Sequence, residues 1–203
     1  VTDLSGEDIR LAAEIGNQEI DVLCGGAPCQ GFSTIGKRAL DDDRNKLVYH
    51  YCRLVSELQP KYAVFENVRG LTLGEHKRFL QEIIEALQGF GYKVLLPYQV
   101  LNAADYGVPQ DRRRLFLLAA RADQVVPKYP LSGGRTTVGE AIGDLPNADS
   151  YKQLISRDWV KAKGGKGSSY AQRMRGEEAD AKDYSYPRKW DASLLTSSLR
   201  TAH

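Results

Sequence analysis

The apolar positions along the chain change period several times, and each change marks an element. Ser5, with Asp8 three residues later, has the spacing of a capping box. Ile9, Ala12, Ala13 and Ile15 follow as a short helical stripe, which Gly16 is expected to end. Ile20, Val22, Leu23 and Cys24 then form a compact apolar run halted by Gly25-Gly26, the pattern of a buried strand opening into a glycine loop. From Asn45 the helical spacing returns: Leu47, Val48, Tyr51, Leu54, Val55 and Leu58 share a face, and Pro60 stops the helix. Tyr62-Ala63-Val64-Phe65 predicts the next strand, running into Glu66-Asn67. Phe79, Leu80, Ile83, Ile84 and Leu87 predict a second helix, closed by Gly89 or Gly91. Tyr92–Leu101 and Leu115–Ala120 predict two further strands. The link between them is too short for a helical crossover, so antiparallel pairing is expected.

Strand, helix, strand, helix, strand, strand is an α/β order with right-handed crossovers. Ligands of such sheets bind at the carboxyl ends of the strands, which places Gly25–Ser33 and Glu66–Arg69 on one rim. After Pro130 the pattern weakens. Ser132-Gly133-Gly134 has linker composition, Val138–Leu145 predicts a short helix, and Lys161–Ser169 is flexible and basic. The expected division is a domain over residues 1–131 followed by a second region over 132–203, with no internal repeat.

Composition narrows the class. Hydrophobic residues at 42% and charged residues at 27% suit a globular chain and not a disordered one. No apolar run approaches a membrane span, and the start lacks the basic and apolar regions of a secretory signal. The first residue is Val and not Met, which suggests a piece of a longer protein. Three cysteines, Cys24, Cys29 and Cys52, are too few for a disulfide scaffold and favour a reducing, intracellular setting. The net charge of +2 is unevenly spread: residues 1–151 carry 17 Lys+Arg against 20 Asp+Glu, and residues 152–203 carry 11 against 6. The last quarter is the better face for a polyanion, with a solvated lysine-rich surface as the plain alternative.

Three short strings carry candidate chemistry. In Gly25-Gly26-Ala27-Pro28-Cys29-Gln30-Gly31-Phe32-Ser33, Cys29 follows a proline in a loop beyond a strand, where it is an exposed nucleophile or a small buried hydrophobe. Cys24 and Cys52 suit the buried role. Glu66-Asn67-Val68 puts a carboxylate at the carboxyl end of a strand, as a site group or a solvated loop residue. In Gln110-Asp111-Arg112-Arg113-Arg114, Arg112 and Arg114 share a face if the string enters a strand. Two guanidiniums on one face want an acceptor-rich partner, or else protect an edge strand by charge. His50, His76 and His203 do not pair with cysteines at ligand spacing and no C-x-x-C occurs, so no metal site is expected.

In this order the strings resemble those of the DNA (cytosine-5) methyltransferases. Pro28-Cys29-Gln30, Glu66-Asn67-Val68 and Gln110-x-Arg112-x-Arg114 match that family's motifs. The text around Asp43-Arg44-Asn45-Lys46-Leu47 and Asn102–Pro109 fits as well, so the resemblance covers roughly residues 1–125. It implies a partial Rossmann-like, S-adenosylmethionine-dependent methyltransferase sheet, followed from residue 132 by the start of a target-recognition region. It implies catalytic roles for Cys29, Glu66, Arg112 and Arg114. Cys29 would add to C6 of a flipped-out cytosine, Glu66 in its protonated form would donate to N3, and Arg114 would contact O2 and the glutamate. Arg112 would stabilise the site and nearby phosphate. Asp3, Leu4, Pro28 and Leu47 are the implied cofactor contacts, and Gln30, Ser33, Arg44, Asn67 and Gln110 the implied substrate contacts.

The family's glycine-rich cofactor loop and its late motifs are not in this text. The chain is therefore expected to be the middle of a longer methyltransferase, inactive and a poor binder of S-adenosylmethionine by itself. The full-length enzyme is expected to be a monomer acting on double-stranded DNA in the bacterial cytoplasm at the nucleoid, with no membrane and with a partner restriction endonuclease. Two other readings stay open: a tRNA cytosine-5 methyltransferase on the same fold, and a catalytically idle nucleic-acid-binding fragment.

Overall fold

The computed structural model describes residues 3–27, 46–74, 76–175, 177–178 and 194–196. They fall into two compact units, one of residues 1–102 and 112–132 and one of residues 103–111 and 133–203.

The first unit is a mixed α/β sheet. Helix α1 (Gly6–Ala12) starts on the expected capping box: Ser5 Oγ accepts from Asp8 N–H, and the Asp8 carboxylate accepts from Ser5 N–H. It ends at Ala12 and not at Gly16. Arg10 Nη1 ties the following turn by donating to the carbonyls of Gly16 and Gln18, and Gly16 takes the left-handed conformation there (φ 51°). Strand β1 (Val22–Gly25) leads to α2 (Lys46–Leu58), β2 (Tyr62–Val68) and α3 (His76–Gly89). Strands β3 (Tyr92–Val94) and β4 (Gln99–Asn102) come next, and β5 (Arg113–Arg121) closes the sheet.

The single strand expected over Tyr92–Leu101 is therefore two. The break spans residues 95–98, where Pro97 has no N–H to give to the ladder. Both pieces pair antiparallel with β5, as the short link required. Among the described residues only β1 and β2 pair parallel. The path is β1-β2-β5-β3, so β5 is inserted between β2 and β3 and runs against both.

One sheet face is covered. On β2 the burial alternates, with Ala63, Phe65 and Asn67 turned inward. Ala63 and Phe65 share a core with Val48, Tyr51, Cys52 and Val55 of α2, and Leu80, Ile83, Ile84 and Leu87 of α3, at helical spacings. Phe65 is fully buried, so Phe65→Ala would cost about 3–5 kcal/mol. The other face carries Cys24, Val64, Glu66, Val68, Arg114 and Phe116. All are half-buried except Cys24, which is exposed. Cys24 thus departs from the buried role expected of it, while Cys52 keeps that role, and burial raises the Cys52 pKa to about 11.

In the second unit, Thr137 caps α4 (Val138–Ile142) through a capping box with Glu140, and Ser168 caps α5 (Ser169–Met174). A nearly buried bidentate pair between Arg175 and Asp144 joins the regions around them, and Gly165 N–H donates to the Asp144 carbonyl. Strand β6 (Trp159–Lys161) pairs antiparallel with β7 (Leu194–Thr196).

Candidate active site

Strand alternation sends Glu66 and Asn67 to opposite faces of β2, and each finds a different partner. Glu66 lies opposite Phe116 in the β2–β5 ladder, and Arg114 lies opposite Val68. All four therefore share one face, with Glu66 and Arg114 as diagonal neighbours. Arg114 Nε stands 3.0 Å from Glu66 Oε1, with the two side chains 25% and 34% exposed. Arg114 Nη1 donates to the Arg113 carbonyl. Its Nη2 has no partner among the described residues. The pair is half-desolvated, with a donor in reserve.

Asn67 is 2% exposed, the one buried polar residue among those described. Its Nδ2 donates to the Ala27 carbonyl (3.1 Å), and its Oδ1 accepts from Val68 N–H (2.8 Å). The bond crosses from the end of β2 to the end of β1, two residues before Cys29. Two glycines tighten the same corner. A Cβ on Gly25 would lie 2.1 Å from the Tyr51 ring, and one on Gly26 would lie 3.1 Å from Glu66 Oε2. The exit from β1 is thus held by the Tyr51 ring against Gly25 and by the Asn67 amide at Ala27, with the Glu66 carboxylate beside Gly26. Tyr51 and these glycines have a fixing role that the sequence analysis missed. Its only trace there was an aromatic at an inward helix position and glycines directly after a strand.

Arg112 is placed differently from Arg114. It precedes β5, its backbone N–H donates to Asn102 Oδ1 (3.0 Å), and its side chain is exposed. It therefore does not share a strand face with Arg114, and Arg114 makes the ion pair with Glu66. Gln110 is exposed, with its N–H on the Val108 carbonyl, and belongs to the second unit. Pro28, Cys29, Gln30, Ser33 and Arg44 lie outside the described residues.

Of the cofactor candidates, Asp3 is exposed, and Leu4 is 47% exposed with its carbonyl held by Arg53 Nη2 (2.8 Å). Gly6 N–H donates to Glu57, which Arg53 also binds, so the start of α1 is fastened to α2. Leu47 is half-buried in the first turn of α2. An exposed carboxylate beside an exposed leucine, next to the fastened start of α1, could form one wall of a site for a flat heterocycle with polar substituents. Among the described residues no helix is long and apolar enough to cross a membrane.

Comparison with known proteins follows this geometry. The model of the C-5 cytosine-specific DNA methylase family matches residues 2–199. The chain is 60% identical over its whole length to Type II methyltransferase M.XorII of Xanthomonas oryzae pv. oryzae, covering 48% of that protein. It is 34% identical to Type II methyltransferase M.DdeI of Desulfomicrobium norvegicum over 86% of this chain and 42% of the relative. A crystal structure of a prophage-encoded DNA modification methyltransferase from E. coli superposes with a TM-score of 0.61 and 28% identity, over 85% of this chain and 49% of that one. The chain spans about half the length of the curated relatives it matches.

Proposed function

The chain belongs to the C-5 cytosine-specific DNA methylase family, and we propose that it carries the cytosine-activating part of an enzyme that methylates C5 of cytosine in double-stranded DNA. The observation that carries this reading is the Glu66–Arg114 pair on the strand-end rim, beside the fixed exit that leads to Cys29.

Cytosine C5 is a weak nucleophile. The Cys29 thiolate adds to C6, forming a C–S bond and pushing the ring electrons towards C5. A free thiol is only a few per cent ionised at neutral pH, so full ionisation gains roughly 2 kcal/mol. Negative charge growing on N3 and O2 is the larger problem, and each well-placed donor there contributes about 3–4 kcal/mol, by analogy with an oxyanion hole. Glu66, in its protonated form, donates to N3. Arg114 turns its spare Nη2 to O2 and keeps Nε on the glutamate. S-adenosylmethionine, when bound, supplies an electrophilic methyl group, and Asp3, Leu4, Pro28 and Leu47 hold it. C5 would take the methyl as the methyl–sulfur bond of the donor breaks and its electron pair stays on the departing sulfur; a base then removes the C5 proton, and the electrons of that bond return to the ring as the C6–S bond breaks and the thiolate leaves.

The base must leave the duplex stack for this chemistry. Arg112, Gln110, Gln30, Ser33 and Arg44 take the substrate side, and Asn67 holds the loop exit. The relatives' names, Type II methyltransferases, support a place in restriction-modification beside a partner endonuclease in the bacterial cytoplasm.

The longest natural polypeptide that carries this chain, given S-adenosylmethionine and a duplex containing 5-fluorocytosine, is expected to form a covalent adduct, and Cys29→Ala to form none. No adduct with the wild-type protein, or methyl transfer to tRNA alone, overturns the proposal.

A further inference from the structure

We propose that the Asp105–Arg135 ion pair positions Arg114 for catalysis: it fastens the loop of residues 103–111, and through the neck of that loop it sets where β5 carries the arginine. The inference deepens the reading above and rests on it. The chain passes between the two units after Asn102, after Asp111 and after Ser132. Residues 103–111 are therefore an excursion, out of β4 and back to the start of β5.

The excursion is short and braced from within. It opens with a helical turn over Ala103–Tyr106. Gly107 then takes a left-handed conformation (φ 79°), and Val108 N–H returns to the Ala103 carbonyl (3.2 Å). The neck is closed on the sheet side. There the Asn102 side chain accepts from Arg112 N–H, and Asn102 pairs with Arg113 in the β4–β5 ladder. One position further along the same ladder, Leu101 pairs with Arg114. A braced loop with a closed neck passes a shift of its tip to its ends, where a slack loop absorbs it.

At the tip two bonds meet on one residue. The Asp105 carbonyl accepts from Gly133 N–H (2.9 Å), and Asp105 Oδ1 accepts from Arg135 Nη2 (2.7 Å). The Ser132-Gly133-Gly134 text with linker composition is thus held against the loop, and a Cβ on Gly107 would lie 3.7 Å from the Gly134 carbonyl oxygen. The Asp105 and Arg135 side chains are 39% and 75% exposed, so the pair adds little to stability. Its effect is geometric. The carbonyl bond fixes one point of Asp105, the carboxylate bond fixes a second, and two points set the orientation of the loop. A misplacement of about 1 Å around a reacting centre can cost on the order of 100-fold in rate, so a small tilt at the neck is felt at Arg114.

A double-mutant cycle on the longest natural polypeptide tests this, with methyl transfer to duplex DNA as the readout. Asp105→Ala and Arg135→Ala are each expected to lower kcat about fivefold, and the double variant to lose about fivefold and no more, because either change releases the same clamp. KM for DNA is expected to stay within about twofold, and the melting temperature within about 2 °C of wild type. Should Asp105→Ala fail to fold, Arg135→Ala, which alters the more exposed side chain, decides alone. Three results overturn the inference and leave the catalytic reading standing, provided that Cys29→Ala still abolishes transfer: wild-type kcat in Arg135→Ala, single losses that multiply to about 25-fold in the double variant, or a raised KM for DNA at unchanged kcat. A wild-type protein that methylates tRNA and not duplex DNA overturns both.

Discussion

Arg114 and Arg121 lie seven residues apart on β5 with nearly equal side-chain exposure, 25% and 23%, and differ in how many of their donors are used. Arg121 uses all three guanidinium nitrogens. Nε and Nη2 take the two oxygens of Asp123, Nη2 also takes Glu19 Oε1, and Nη1 takes the Gln59 carbonyl. Lys61 completes the cluster on Glu19 and Asp21. The hydrogen bonds hold the Asp123 and Glu19 carboxyls below their usual range. This cluster ties the end of β5 to the segments that enter β1 and β2. Arg114 holds one carboxylate and the Arg113 carbonyl, and that carboxylate lies beside Gly26. A saturated cluster makes structure. A pair with a donor left over, at a strand end, is suited to a third group.

Substitution separates the two roles. Arg114→Ala and Glu66→Ala are each expected to lower kcat by about 100- to 1,000-fold, the size of losing one preorganised donor, while a half-exposed ion pair costs at most about 1 kcal/mol of stability. Arg121→Ala is expected to do the reverse: a melting temperature lower by a few degrees, and kcat near wild type below that transition. Equal thermal losses in the two variants, with equal activity, would erase the distinction.

Asn67 sharpens it from the other side of the sheet. Asn67→Ala leaves the Ala27 carbonyl and the Val68 N–H without their buried partner, a cost of about 1–3 kcal/mol. Because that bond fixes the approach to Cys29, kcat is expected to fall about tenfold even at temperatures where the variant is fully folded. A fall in stability alone would make Asn67 a core residue only.

Much of this was legible in the chain. The capping box, the inward stripes of α2 and α3, and the placement of Glu66 at the end of a strand all follow from local spacing. What was not legible depends on partners far away in sequence. The Asn102 side chain takes the Arg112 N–H, so β5 starts one residue later than a common face for Arg112 and Arg114 would need. Pro97 interrupts a run whose apolar pattern looks continuous. That Asn67 would reach Ala27, 40 positions away, needs the parallel register of β1 on β2. The strings of the site were visible, and the corner that holds them was not.

The smallest expected effect concerns the thiols. Cys52 and Cys24 lie in the same unit, one buried in the α2 core and one exposed on the uncovered face. Burial raises the Cys52 pKa from 9.0 to about 11, so at pH 8 only about one thiol in a thousand is ionised there. A small thiol reagent at pH 8 is expected to label Cys24 and spare Cys52, as mass mapping of the labelled peptides would show. The same shift has a sign in stability. Below pH 9 the folded and unfolded chains both keep the Cys52 proton, and the group contributes its full stability. Between pH 9 and about 11 the unfolded chain loses that proton first, so stability falls as pH rises. Buried Tyr51, whose pKa burial also raises, adds to the fall at higher pH. Urea unfolding at pH 8 and pH 10.5 should therefore give a lower midpoint at the higher pH, and the drop should shrink in Cys52→Ala. Labelling of Cys52 at pH 8 as fast as Cys24 would mean that the α2 face opens readily, and the corner at Gly25 and Ala27 would then lose the rigid base that the comparison of the two arginines assumes.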